Sequence, residues 1–204
     1  MDKKIYNWVI DKSFDYCYGH RVWSQTLDPK YSLDSCLACR HLHGHQGKVK
    51  LFLGANNLKH GMVTDFKHTN IFKKWLDDTL DHKFIIDMND PLFEDLAGDL
   101  CLSEKNKRTF DDLMVTVNTE YNFAIPDLEQ LMALNVWDEL RDDQKQAIFE
   151  KYEGIIIVDF IPTSENICKF IYEVANKMLK ELGIDVVAVE YWETPKSHCK
   201  YQPN

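Results

Sequence analysis

The sequence predicts an α+β domain in which helices cover one face of an antiparallel sheet, and three patterns carry that prediction. Early in the chain, aromatic and aliphatic residues alternate with polar ones, the period of a half-buried strand. Two later stretches repeat apolar residues at helical spacing instead. With the acidic segment 88–154 set aside, the order is strand, strand, helix, helix, strand.

Phe14, Tyr16, Tyr18 and His20 lie two residues apart and share one face of a regular strand. Residues 26–35, with Asp28-Pro29, read as a loop. Val49, Leu51 and Leu53 alternate with Lys48 and Lys50, a second strand that ends at Gly54. Residues 67–82 read as a helix with Phe72, Trp75, Leu76, Thr79 and Leu80 inward and Lys73, Lys74, Asp77 and Asp78 outward. Within 88–154, residues 127–135 and 136–152 look helical with acidic outer faces, and Asp90-Pro91 and Ile125-Pro126 break the segment into pieces. Residues 155–160 are a short apolar run that reads as a strand. Thr163 is a good N-cap, and Ile167, Phe170, Ile171, Val174, Met178, Leu179 and Leu182 keep helical spacing until Gly183. A final strand is expected over 186–193.

The 204 residues are 45% hydrophobic and 28% charged, an ordinary globular composition. No apolar run approaches the roughly 20 residues of a membrane span, and Met1 to Ile5 has none of the apolar character of a leader, so a cytoplasmic location is expected. The net charge of −9 argues against general nucleic-acid binding. That acidity is local. Residues 88–154 hold 16 acidic and 6 basic residues, while the remainder holds 17 and 18. A near-neutral remainder can still admit a polyanionic ligand. The six cysteines (17, 36, 39, 101, 168 and 199) read as free thiols, metal ligands or catalytic groups rather than disulfides.

The richest chemistry lies in Cys36-Leu-Ala-Cys39-Arg40-His41-Leu42-His43-Gly44-His45. His43 and His45 sit two apart, so on a strand both imidazoles point the same way and can share one metal ion. His20, at the end of the preceding strand pattern, is the natural third ligand. Three nitrogen ligands leave a fourth position open, the arrangement of a catalytic zinc. The rival readings are a solvated histidine loop or an adventitious metal site. For Cys36-x-x-Cys39 they are a structural zinc knuckle, which lacks its second pair, and a redox dithiol, which lacks its βαβ setting. Asp81-His82 is either a helix end with a dipole-compensating imidazole or an acid/base pair. Glu190 and Glu193, flanking Trp192, are by default exposed strand residues.

Together these pieces resemble the family of 6-pyruvoyl tetrahydropterin synthases and 6-carboxytetrahydropterin synthases. The matching elements, in order, are Tyr18-Gly-His-Arg21, Cys39-x-x-x-His43-Gly-His45, Gly61-Met-Val-Thr-Asp-Phe66, Leu80-Asp-His-Lys-Phe84 and Pro162-Thr-Ser-Glu-Asn166, the last followed by Val189-Glu-Tyr-Trp-Glu-Thr194. Each motif alone is weak, and their order makes the likeness specific.

The resemblance implies the tunnelling fold, a four-stranded antiparallel sheet with two helices on one face, assembled into trimer-based homo-oligomers, commonly hexamers, with active sites between subunits. It implies zinc held by His20, His43 and His45, a proton-abstracting thiolate at Cys39, and acid/base partners at Asp81 and His82. Glu193 would anchor the pterin ring, since a carboxylate accepts two parallel hydrogen bonds. Glu165, in the Pro-Thr-Ser-Glu motif, is a further candidate for substrate binding. The implied substrate is 7,8-dihydroneopterin triphosphate, with no direct contact to nucleic acid or membrane.

Two products remain open. Cys39 lies four residues before His43, the spacing of the carboxy branch, whereas Cys36 comes nearer the longer interval of the pyruvoyl branch. The expectation is therefore a lyase that releases acetaldehyde and triphosphate and leaves 6-carboxy-5,6,7,8-tetrahydropterin, feeding 7-deazaguanine and queuosine synthesis. The alternatives are the 6-pyruvoyl product, or a pterin- or purine-binding protein without turnover. The chain departs from the family at Gln46-Gly47, where an aromatic residue is more usual, and at His41, an extra imidazole. Asp81 and Pro162 are 81 positions apart, where the family has a short connection. Residues 1–204 are accordingly read as one tunnelling-fold domain carrying a largely helical acidic insertion at 88–154.

Overall fold

A computed structural model describes residues 5–101 and 107–203. Met1 to Lys4, part of the stretch read for a leader, and residues 102–106 of the acidic segment lie outside the described residues. In chain order the elements are β1 (Trp8–His20), β2 (His43–Ala55), α1 (Asn70–Thr79), β3 (Lys83–Asp87), α2 (Phe93–Ala97), β4 (Thr116–Asn118), β5 (Ala124–Pro126), α3 (Leu128–Met132), α4 (Asp142–Glu153), β6 (Ile155–Val158), α5 (Ser164–Lys180), β7 (Asp185–Thr194) and β8 (Ser197–Tyr201). Among the described residues no helix is long and apolar enough to cross a membrane.

The chain divides into two compact units. Met1–Tyr18, Gly44–Asp81 and Thr163–Asn204 form the first, and Gly19–His43 and His82–Pro162 form the second. The division falls inside β1 and β2, each of which is one continuous strand.

In the first unit, hydrogen-bonded neighbours run β1-β2-β7-β8. β7 is antiparallel to both β2 and β8, with Leu51 opposite Val189 and Tyr191 opposite Cys199. Alternation sets the faces: Phe14, Tyr16 and Tyr18 on β1 and Val49, Leu51 and Leu53 on β2 are buried. α5 begins where expected, with Thr163 Oγ1 accepting the Asn166 N–H, and it buries Ile167, Phe170, Ile171, Val174 and Leu179. Gly183 closes it at φ 72°, the left-handed conformation that glycine adopts without strain. α1 buries Phe72, Trp75 and Leu76, with Phe72 edge-on to Phe14 and Trp75 edge-on to Phe170. Its outward Lys73–Asp77 and Lys74–Asp78 pairs are four residues apart. The helix is shorter than the pattern suggested, because residues 66–69 form a separate 3₁₀ turn whose entry Asp65 caps through the Lys67 N–H.

The second unit has a mixed sheet in the order β4-β5-β6-β3. β3 and β6 are parallel, while β5 runs antiparallel to both β4 and β6. All four residues of β6 are buried, which is why it reads as a continuous apolar run rather than an alternation. Met88, Phe93, Leu100, Leu131, Tyr152 and Ile157 form its core. The stretch expected as one helix over 136–152 is a 3₁₀ turn at Asn135–Trp137 followed by α4. β4 and β5 are three residues each, too short to leave a periodic signal. β3 and β8 were likewise not foreseen.

Candidate active site

β1 ends at His20 and β2 begins at His43. One ligand nitrogen from each of His20, His43 and His45 lies within 4.8 Å of the others, so these three residues can hold a metal ion. The His20 and His43 rings are 4.6 Å apart. His20 is fully buried, and its Nδ1 is 2.6 Å from the Pro162 carbonyl oxygen. His43 Nδ1 is 2.8 Å from the carbonyl oxygen of His41. A carbonyl can only accept, so both Nδ1 atoms carry the hydrogen, and in the neutral rings the lone pair is left on Nε2. Metal-binding imidazoles are oriented in this way. Imidazole nitrogen donors also suit zinc chemically. The extra imidazole of His41 is exposed, and what it gives His43 is its backbone oxygen rather than its ring.

His45 sits beside Glu193, with Nε2 3.6 Å from Oε1. Both are about four-fifths covered, with side-chain exposures of 19% and 23%. Behind them lies a tyrosine cluster. Tyr16 and Tyr18 stack at 5.3 Å, Tyr191 lies 6.1 Å from Tyr18, and Tyr18 lies 5.7 Å from His45. Burial pushes all three phenols well above their ordinary range, so they stay neutral. Gly47 is explained here. A Cβ at that position would come within 3.0 Å of Tyr16 and 3.2 Å of Tyr18. The glycine that departs from the family pattern makes room for these two rings.

Cys39 lies on a 3₁₀ turn, Ala38–Arg40, and is half-buried, whereas Cys36 is exposed. The Cys39 N–H donates to Gln25 Oε1 at 3.0 Å. Asp81 follows α1, and its Oδ1 accepts the Cys17 N–H at 2.7 Å. His82 is exposed, with a positive φ of 60° immediately before β3. Glu165 is in the first turn of α5 and exposed. Glu190 pairs with Lys200 at 3.3 Å.

Sequence reasoning overlooked Gln25, the Pro162 carbonyl and the buried carboxylates Asp87 and Asp90. Asp87 accepts from Trp23 Nε1 at 2.9 Å, and burial raises its carboxyl above the ordinary value, opposed by hydrogen bonds from Asn89 and Trp23. The Asp90-Pro91 break was the one available signal, and it marked a turn without showing what the turn holds.

A family model described as 6-pyruvoyl tetrahydropterin synthase matches residues 9–204. The chain is 30% identical to a 6-carboxy-5,6,7,8-tetrahydropterin synthase of Aquifex aeolicus over 96% of this chain and 98% of the relative. It is 25% identical to the enzyme of that name in Haemophilus influenzae, over 80% of this chain and 84% of the relative. In structure it is similar to an uncharacterized protein, WS1659, of Wolinella succinogenes, with a TM-score of 0.81 and 43% identity, covering 97% of this chain and 98% of the other.

Proposed function

The chain belongs to the 6-pyruvoyl tetrahydropterin synthase family, and on that premise we propose that it is a zinc-dependent 6-carboxy-5,6,7,8-tetrahydropterin synthase, a lyase acting on 7,8-dihydroneopterin triphosphate. The observation that carries the reading is the trio His20, His43 and His45, with two Nδ1 atoms tied to backbone carbonyls. The names of the relatives and the Cys39–His43 interval favour the carboxy product over the 6-pyruvoyl one.

His20, His43 and His45 would hold the zinc, which would supply Lewis-acid chemistry toward oxygen atoms of the substrate side chain. Cys39, as the thiolate, takes a carbon-bound proton from that side chain. His82, oriented by Asp81, relays the proton. Glu193 holds the pterin ring by accepting from its amino and ring N–H groups, with Glu165 as a second polar contact. Triphosphate leaves, and the side chain is cleaved to acetaldehyde. We read the chain as one tunnelling-fold domain, 1–204, with 88–154 as an insertion. It works in the cytoplasm as a trimer-based homo-oligomer with active sites between subunits, and its product feeds 7-deazaguanine and queuosine synthesis.

The test is incubation of the zinc-loaded protein with 7,8-dihydroneopterin triphosphate and identification of products by mass. Acetaldehyde and 6-carboxytetrahydropterin are expected; a 6-pyruvoyl product would overturn the assignment. The double variant His43→Ala, His45→Ala should lose its metal in elemental analysis. Unchanged metal content would defeat the ligand assignment.

A further inference from the structure

The turn that carries Cys39 is held at two points by one residue, Gln25. The Cys39 N–H donates to Gln25 Oε1 at 3.0 Å, and the next side chain, Arg40, donates from Nε to the Gln25 carbonyl oxygen at 2.8 Å. The Cys39 carbonyl in turn accepts the Val22 N–H at 2.6 Å, and the Gln25 N–H returns to the Val22 carbonyl at 3.1 Å. The short segment 21–25 is therefore the backing of the thiol-bearing turn.

That segment is itself anchored. Trp23 Nε1 donates to Asp87 Oδ2 at 2.9 Å, and Arg21 Nε lies 3.2 Å from Asp90 Oδ2. Both carboxylates are only 2% exposed. They belong to a turn that its own backbone stabilises, because Asp87 Oδ1 accepts the Asn89 N–H and Asp90 Oδ1 accepts the Leu92 N–H. Arg108, also buried, donates from its backbone to Asn89 Oδ1 and from Nη1 to the Met88 carbonyl, bracing the turn from behind. Asp87, with both oxygens accepting, holds one geometry, since any departure leaves a desolvated carboxyl group without its donors.

We propose that Gln25 is a positioning residue for the Cys39 thiol, and that the buried Asp87–Asp90 turn holds Gln25 in place through Trp23 and Arg21. The proposal rests on the reading of Cys39 as the proton-abstracting group, and it gives the start of the acidic segment a task at the site. A reactive atom misplaced by about 1 Å costs up to about 100-fold in rate, so a clamp of this kind acts on kcat.

The test uses the full-length zinc-loaded protein as wild type, Gln25→Leu, Gln25→Glu and Trp23→Phe. Gln25→Leu removes the acceptor, Gln25→Glu keeps it, and Trp23→Phe removes only the N–H that reaches Asp87. Three quantities are read: amide exchange of the peptide spanning 36–42, alkylation of Cys39 by iodoacetamide, and kcat with KM. Gln25→Leu should speed exchange and alkylation roughly tenfold, the scale of one lost hydrogen bond, and lower kcat by roughly 10- to 100-fold with KM and zinc content little changed. Gln25→Glu should restore exchange and alkylation to near wild-type values, and Trp23→Phe should show the same changes at smaller size. Wild-type exchange and alkylation in Gln25→Leu would overturn the proposal, as would failure of Gln25→Glu to restore them. Should Gln25→Leu not fold, unchanged exchange in Trp23→Phe would also overturn it. If wild type forms no pterin product, the enzymatic reading falls, while exchange and alkylation still decide the clamp.

Discussion

The two compact units hold their candidate functional side chains by different means. In the first, His45 and Glu193 stand on long strands backed by apolar packing, with Tyr16, Tyr18 and Tyr191 beneath them and α5 sealing the interior. In the second, Cys39 stands on a single 3₁₀ turn, held by hydrogen bonds from segment 21–25 and, behind that, by buried carboxylates and Arg108. A residue on a paired strand inherits its direction from the sheet, and packing supplies the rest. A residue on a turn has no such ladder, so polar partners must define it one by one, and each is costly to lose. The difference teaches that apolar volume should control stability in the first unit, whereas hydrogen-bond identity should control the thiol in the second.

The largest effect should follow from the thiol itself. Cys39→Ala should lower turnover of the pterin triphosphate by about 10²- to 10⁴-fold, with metal content and unfolding midpoint near those of wild type. Unchanged turnover would remove Cys39 from the mechanism and with it the functional side of the comparison. Next comes the apolar side. Ile171 is fully buried on α5, so Ile171→Ala should cost about 2–5 kcal/mol in urea unfolding. A loss below 1 kcal/mol would show that packing does not dominate this unit.

Gly47→Ala sharpens the same point at smaller scale. The added methyl meets two buried tyrosine rings at 3.0–3.3 Å, and overpacking of that kind costs about 1–3 kcal/mol. A neutral result in urea unfolding would mean that the rings shift freely and that the glycine is incidental.

The smallest effect is electrostatic. Burial raises the Asp87 carboxyl above its ordinary value of 3.8, so the folded state holds that proton more tightly than the unfolded one. Its contribution to stability is then greatest at low pH and declines as pH rises from about 3.8 through the raised folded value. Asp87→Asn removes this titration, and unfolding measured across the acid range should show a flatter pH profile. An unchanged profile would show that Asp87 does not titrate as its burial requires.

Much of the first unit was legible because its residues speak locally. The alternation over Phe14 to His20 and Val49 to Leu53 set the strand faces, and Thr163 and Gly183 marked both ends of α5 within a residue or two. Strand spacing brought His43 and His45 onto one side. The second unit was harder to read. β3 and β6 are buried parallel strands without alternation, and β4 and β5 are too short to show a period. Nothing in Gln25, Trp23, Asp87 or Asp90 taken singly announces a partner.

By itself, the sequence determined which residue types are candidates for the chemistry, how the first strands and the long helix are patterned, and the family motifs with their order. Local spacing suffices for these, because strand and helix periods map directly onto faces. Only the tertiary structure decided that His20 Nδ1 is tied to Pro162, 142 positions away, that Gly47 makes room for two tyrosine rings, and that the Cys39 turn is backed by a buried pair of aspartates. Those facts arise from contacts between distant segments, where geometry rather than spacing decides which donor meets which acceptor.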